Sequence, residues 1–145
     1  MVWLTVSGGT LGTSPAAAQM AVTKCALPWG TAFVRGVMGN WLVCMSILMA
    51  TGSSSLASKM VAIFFPISAF VMIGLEHSIA NLYIIPLGIM RGGGVSWRDF
   101  LMKNLLPVTL GNIFAGAVVV GLSYTCIHGS LLDKKAKDVV QLAVY

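Results

Sequence analysis

Three long apolar stretches bounded by polar residues dominate the chain. The first runs from about Trp29 to Thr51, and its only charge, Arg35, lies near enough to one end to reach an interface. Gly52-Ser53-Ser54-Ser55 interrupts it, and Lys59 marks the next boundary. The second runs from Met60 to Met90 and the third from Leu105 to about Ile127. Between them lies a polar connection, Arg91 to Lys103, with Gly92-Gly93-Gly94 and an interfacial Trp97. A helix needs about 20 apolar residues to cross a hydrocarbon core, so the pattern predicts an all-α transmembrane chain with three spans. Residues 1–28 read as the end of a further span and a loop, because Met1-Val2-Trp3-Leu4-Thr5-Val6 looks like the tail of an apolar segment that begins upstream. No basic region precedes that run and Gly8-Gly9 breaks it, unlike a signal peptide. Residues 128–145 form a polar tail, so positions 1–145 make one membrane domain, expected to be truncated.

The second stretch carries the most information. Its 31 residues would extend about 46 Å as one helix, against a core of about 30 Å. Gly74, Glu76, His77 and Asn81 fall near its midpoint, with Pro66 and Pro86 on either side. Two half-helices joined by a non-helical stretch from about Gly74 to Ser78 fit better than one lipid-facing rod, so the second span is predicted to be broken at mid-membrane. Such backbone survives in a membrane only where protein buries it or a watery cavity borders it. Ionisable groups at that depth usually belong to a pathway, a relay or a buried pair. Neighbouring helical residues point about 100° apart, which gives Glu76 and His77 different partners. A half-helix starting near Ser78 would turn free N–H groups and its positive end toward the break, a setting suited to an anion. A histidine there can donate a hydrogen bond or exchange a proton. The plainer alternative is that both side chains cross-link helices in a bundle.

Other polar positions extend this picture. Asn40, Val43, Cys44 and Ile47 share one face of the first span at helical spacing. Asn40, and Asn112 on the third span, either orient Glu76 or His77 or bond a neighbouring helix. Phe70 precedes His77 by seven residues and would share its face, narrowing a pore or simply packing. Gly111/Ala115 and Ala117/Gly121 are small-residue pairs that let helices approach closely.

Composition agrees with the pattern: 57% of residues are hydrophobic and 9% charged, where soluble domains carry about 25% charged, and mean hydropathy is +0.90. The net charge of +5 comes from scattered Lys and Arg, which argues for interfaces and against nucleic acid. Lys59 and the three tail lysines balance Lys24, Arg91, Arg98 and Lys103 across the membrane, so the positive-inside rule gives no orientation. Cys25, Cys44 and Cys126 match no disulfide framework or metal site and read as packing residues. Glu76-His77-Ser78 is not a zinc-binding H-E-x-x-H helix, and no phosphate loop or dinucleotide fingerprint occurs. No metal, cofactor or enzymatic activity is expected.

The string Arg35-Gly36-Val37-Met38-Gly39-Asn40-Trp41-Leu42-Val43-Cys44 resembles the fourth span of the formate/nitrite transporter family. Phe65-Pro66-Ile67, Gly74-Leu75-Glu76-His77-Ser78-Ile79-Ala80-Asn81 and Ile85-Pro86-Leu87-Gly88 resemble its fifth, and Leu106-Pro107-Val108-Thr109-Leu110-Gly111-Asn112 its sixth. The similarity runs from about Ala18 to Ile127, with Leu75 where a Phe is common. It implies one half of an aquaporin-like inverted repeat, a homopentamer when full length, one pore per protomer, and passage of small monovalent anions of weak acids such as formate or nitrite. By the same resemblance His77 is the central pore histidine and Phe70 lies at the hydrophobic constriction, with Val43 and Asn112 near the path. Lys24, Asn40, Glu76 and Asn81 match polar residues of the vestibules and the helix-break network, with Lys24 concentrating anions at the entrance. The family's first three spans are not in this chain. The competing reading is therefore a truncated, non-transporting membrane subunit that only assembles with other chains.

Overall fold

The computed structural model describes residues 16–129, which form five helices. These are α1 (Ala16–Cys25), α2 (Trp29–Thr51), α3 (Leu56–Ile73), α4 (Ser78–Met90) and α5 (Trp97–Gly129). Helices α2, α3 and α5 are long and apolar enough to cross a membrane; α4, at 13 residues, is shorter. The expectations for residues 1–15 and 130–145 lie outside the described residues.

Local chemistry accounts for the helix ends. Ser55 starts α3 by accepting the Ser58 N–H at 3.1 Å on its hydroxyl. Gly74 ends α3 in the left-handed region, φ 72° and ψ 40°. Its N–H donates to Val71 O and the Leu75 N–H to Phe70 O, the paired bonds of a Schellman stop. That geometry costs any other L-residue roughly 1–2 kcal/mol, so this glycine fixes where the overlong stretch breaks. Helix α4 resumes at Ser78 and, like α3, contains a proline, Pro86 and Pro66 respectively.

Helix α5 begins earlier than its hydropathy implies. Trp97–Lys103, assigned from sequence to the polar connection, is already helical: Ser96 accepts the Asp99 N–H at 3.0 Å, and Lys103 pairs with Asp99 at 2.8 Å. Two stretches of α5, Phe100–Leu105 and Ala115–Leu122, are wound as π-helix. The first turns Phe100 and Asn104 inward together.

Packing divides the described chain into two pairs bridged by α5. Helix α1 lies on α4, where Ala21, Cys25, Ile85 and Phe100 form a small buried core. A Cβ at Gly88 would strike Ala17 O and the Ala21 methyl. Helix α2 packs on α3 and along the first half of α5. There Gly36 faces Val108 O, and a side chain at Gly111 would collide with Phe33 O. Of the two small-residue pairs, Gly111/Ala115 is buried, whereas Ala117 is exposed. Helix α3 has no buried residue, and Met60, Phe64, Phe65 and Met72 are all widely exposed.

Candidate functional site

The four residues between α3 and α4 are held by protein on most of their polar backbone groups. The Glu76 N–H donates to Arg35 O at 3.3 Å, and the Arg35 guanidinium donates to Gly74 O at 3.5 Å. Asn112 completes the clamp from α5. Its amide nitrogen donates to Gly36 O at 2.8 Å and to Glu76 O at 3.4 Å. Its oxygen accepts both the Ser78 N–H and the Ser78 hydroxyl at 2.9 Å. Asn112 thus caps α4 from another helix, a task that the His77 side chain at the N-cap does not perform. Helix α2 fits against this turn only through glycine: a Cβ on Gly39 would sit 2.5 Å from Glu76 O and 3.0 Å from the Phe70 ring.

Glu76 and His77 leave this clamp in different directions. The Glu76 side chain is 2% exposed, and Oε1 accepts from Lys24 Nζ at 2.8 Å. Oε2 accepts from Asn81 Nδ2 at 2.6 Å and from Asn104 Nδ2 at 3.4 Å. Asn104, wholly buried, also accepts from Asn81 at 2.7 Å and donates to the Lys24 carbonyl at 3.0 Å. Three helices, α1, α4 and α5, therefore converge on one carboxylate. A buried ion pair tolerates desolvation only with such additional hydrogen bonds. The Asn81 Oδ1 atom is buried without a partner among the described residues.

His77 is half-buried and more loosely held. Its Nε2 lies 3.3 Å from Asn40 Oδ1, and its ring meets Phe70 edge-on with centroids 6.3 Å apart. Asn40 donates its amide N–H to Asn112 O at 2.7 Å, which turns its oxygen toward the imidazole. An oxygen acceptor there selects the tautomer with the proton on Nε2, leaving Nδ1 as the ring's acceptor in the neutral form. His77 lines a cleft of ≈ 440 Å³ with Asn40, Ser78, Thr109, Asn112 and Gly116. A second cleft, ≈ 390 Å³, opens beside the same turn and is lined by Gln19, Lys24, Arg35, Gly74 and Glu76 among others.

The fold thus gathers Lys24, Glu76 and Asn81 into one group, and Asn40, Phe70, His77 and Asn112 into another. Val43 stands apart: it is half-buried, its carbonyl accepts the Ser46 hydroxyl at 2.7 Å, and it lines neither cleft. Sequence reasoning overlooked Asn104, Ser78 and the clamping role of Arg35. Among the described residues no group of His, Cys, Asp or Glu is placed to hold a metal ion.

Comparison with known proteins points one way. A family model described as formate/nitrite transporter matches residues 1–126. The chain is 50% identical over 114 residues to a probable formate transporter of Methanothermobacter thermautotrophicus, covering 79% of this chain and 41% of that protein. It is 35% identical over 143 residues to the uncharacterized transporter YrhG of Bacillus subtilis (strain 168), covering 99% of this chain and 52% of that protein. It therefore spans about half the length of these relatives. Its fold is similar to a pentameric formate channel with formate bound, with a TM-score of 0.76 at 29% identity, covering 88% of this chain and 59% of the channel. With three apolar helices long enough to span, a clamped turn between α3 and α4, and a match over nearly its whole length, the chain belongs to the formate/nitrite transporter family.

Proposed function

We propose that this chain supplies one half of a membrane pathway for small monovalent anions of weak acids, formate or nitrite being the expected type. The observation that carries the reading is the clamped turn at Gly74–His77. Arg35 and Asn112 hold the Gly74 and Glu76 backbone, the carboxylate is buried, and the histidine lines an open cleft. In this reading the turn sits at mid-membrane, where non-helical backbone needs such burial. The described helices form one half of an inverted repeat, and the full-length protein works as a homopentamer in the bilayer. The likeness to a pentameric channel with formate bound supports the anion and the oligomer. Membership in a transporter family argues against an enzyme.

The chemistry follows from the histidine tautomer. A bare monoanion is expensive to move into apolar surroundings, whereas its neutral acid is not. With Nε2–H committed to Asn40, neutral His77 offers Nδ1 to the O–H of a weak acid. Protonated His77 offers an N–H to the anion, and the two situations differ by one proton exchanged with the substrate. Phe70, edge-on to the imidazole, supplies the apolar narrowing that disfavours the bare charge. The first turn of α4 adds N–H groups and a positive helix end near the same place. Asn112, Asn40 and Asn81 act by holding these groups, Val43 lies beside the path, and Lys24 keeps Glu76 in position.

Formate and nitrite flux into liposomes holding the full-length protein tests the reading. His77→Phe is expected to abolish the pH dependence of flux and to lower the flux itself. Undiminished transport by that variant with its pH dependence intact would remove the proton role.

A further inference from the structure

The cleft beside the break is lined by two cations and one anion, Lys24, Arg35 and Glu76. These charges are not equivalent. Lys24 Nζ is in contact with Glu76 Oε1 at 2.8 Å, and the carboxylate is almost fully buried. From a few ångströms away such a pair is a dipole, since the two Coulomb terms nearly cancel. Lys24 therefore contributes little field at the mouth of the cleft, although it is the basic residue that the family resemblance singles out.

Arg35 has no carboxylate partner among the described residues. Its guanidinium makes one long hydrogen bond, 3.5 Å, to the neutral carbonyl of Gly74. A guanidinium has five N–H donors in a planar fork, so most of them stay available. That fork suits the two oxygens of a planar monoanion better than an ammonium does. Its position is fixed as well, because the Arg35 carbonyl receives the Glu76 N–H. The net positive charge of the cleft thus sits on a residue bonded to the break from both its backbone and its side chain.

We infer that Arg35, rather than Lys24, is the residue that draws and first docks the monovalent anion in the cleft beside the break, Lys24 being committed to Glu76. The inference rests on the anion-transport reading. Charge focusing in a cleft raises local counter-ion concentration and weakens with ionic strength, which gives it a distinctive readout.

The test is formate uptake by liposomes containing the full-length protein, across formate concentrations at low and high ionic strength. Arg35→Gln is expected to raise the half-saturating formate concentration several-fold and to flatten its dependence on salt, with the plateau flux falling less than the affinity. Arg35→Lys should restore the salt dependence and part of the affinity. The double variant Lys24→Met, Glu76→Gln removes the pair, keeps Arg35, and should retain the wild-type salt dependence. An Arg35→Gln protein with wild-type half-saturation would overturn the inference. So would an Arg35→Lys protein no better than Arg35→Gln, which would leave Arg35 only its bond to Gly74, or loss of salt dependence in the double variant. Absence of flux from the unmodified protein would instead count against the transport reading itself.

Discussion

Glu76 and His77 are adjacent in the chain, yet their surroundings follow opposite rules. Around Glu76 both carboxylate oxygens are occupied, by Lys24 on one side and by Asn81 and Asn104 on the other. Around His77 there is one hydrogen bond of 3.3 Å, one aromatic edge and an open cleft. The difference separates holding from acting. A buried charge has to be fully satisfied or the structure fails, whereas a group that meets a passing solute needs a free face and a protonation state that can change. The same short turn supplies both because extended backbone at His77 (φ −136°, ψ 127°) sends consecutive side chains to opposite sides.

The largest expected effect comes from breaking the saturated side. Lys24→Met leaves Glu76 buried without its cation, and removal of one partner of a buried pair costs about 3–5 kcal/mol. The yield of monodisperse protein in detergent and its thermal midpoint would report this. Adding Glu76→Gln should recover most of the loss. Next comes Asn104→Leu, which strips donors from Lys24 O and Glu76 Oε2 and an acceptor from Asn81. An unsatisfied buried polar group costs about 1–3 kcal/mol, so the thermal midpoint should fall clearly but by less. Gly39→Ala should cost about 1–3 kcal/mol by overpacking, since its methyl meets the Glu76 carbonyl rather than a yielding side chain. The smallest stability change is expected for His77→Phe, which gives up one long hydrogen bond worth roughly 0.5–1.5 kcal/mol. Should His77→Phe destabilise as much as Lys24→Met, the contrast between the two residues would collapse.

Much of this arrangement is legible in the sequence, for identifiable reasons. The interruption of the second stretch follows from a length that no single span needs and from a glycine free to adopt positive φ at its midpoint. Different partners for Glu76 and His77 are expected from a helical offset of about 100°, whereas the structure separates them by extended backbone outside any helix. Asn40 and Asn112 are recognisable as polar residues in apolar helices, although their partners are not. Asn104 escapes notice because it stands beside Lys103 in what reads as a connection, and because a π-wound turn shifts the face that a 3.6-residue period assigns. Arg35 reads as an interfacial charge, since its bonds to Gly74 and Glu76 exist only once α2 lies across the break.

The short length of α4 has a consequence for how the chain is made. Thirteen residues rise only about 20 Å, too little to cross a bilayer core of about 30 Å unaided. Helix α2 has the length to span by itself, whereas α4 does not and depends on its packing against α1. Asn104, which helps hold Glu76, is synthesised 28 residues after it, a delay of roughly one to six seconds at ordinary rates of translation. Throughout that interval part of the shell that satisfies the carboxylate is still unmade. The bonds that fix α4 and the turn before it can therefore close only once the first half of α5 has been made.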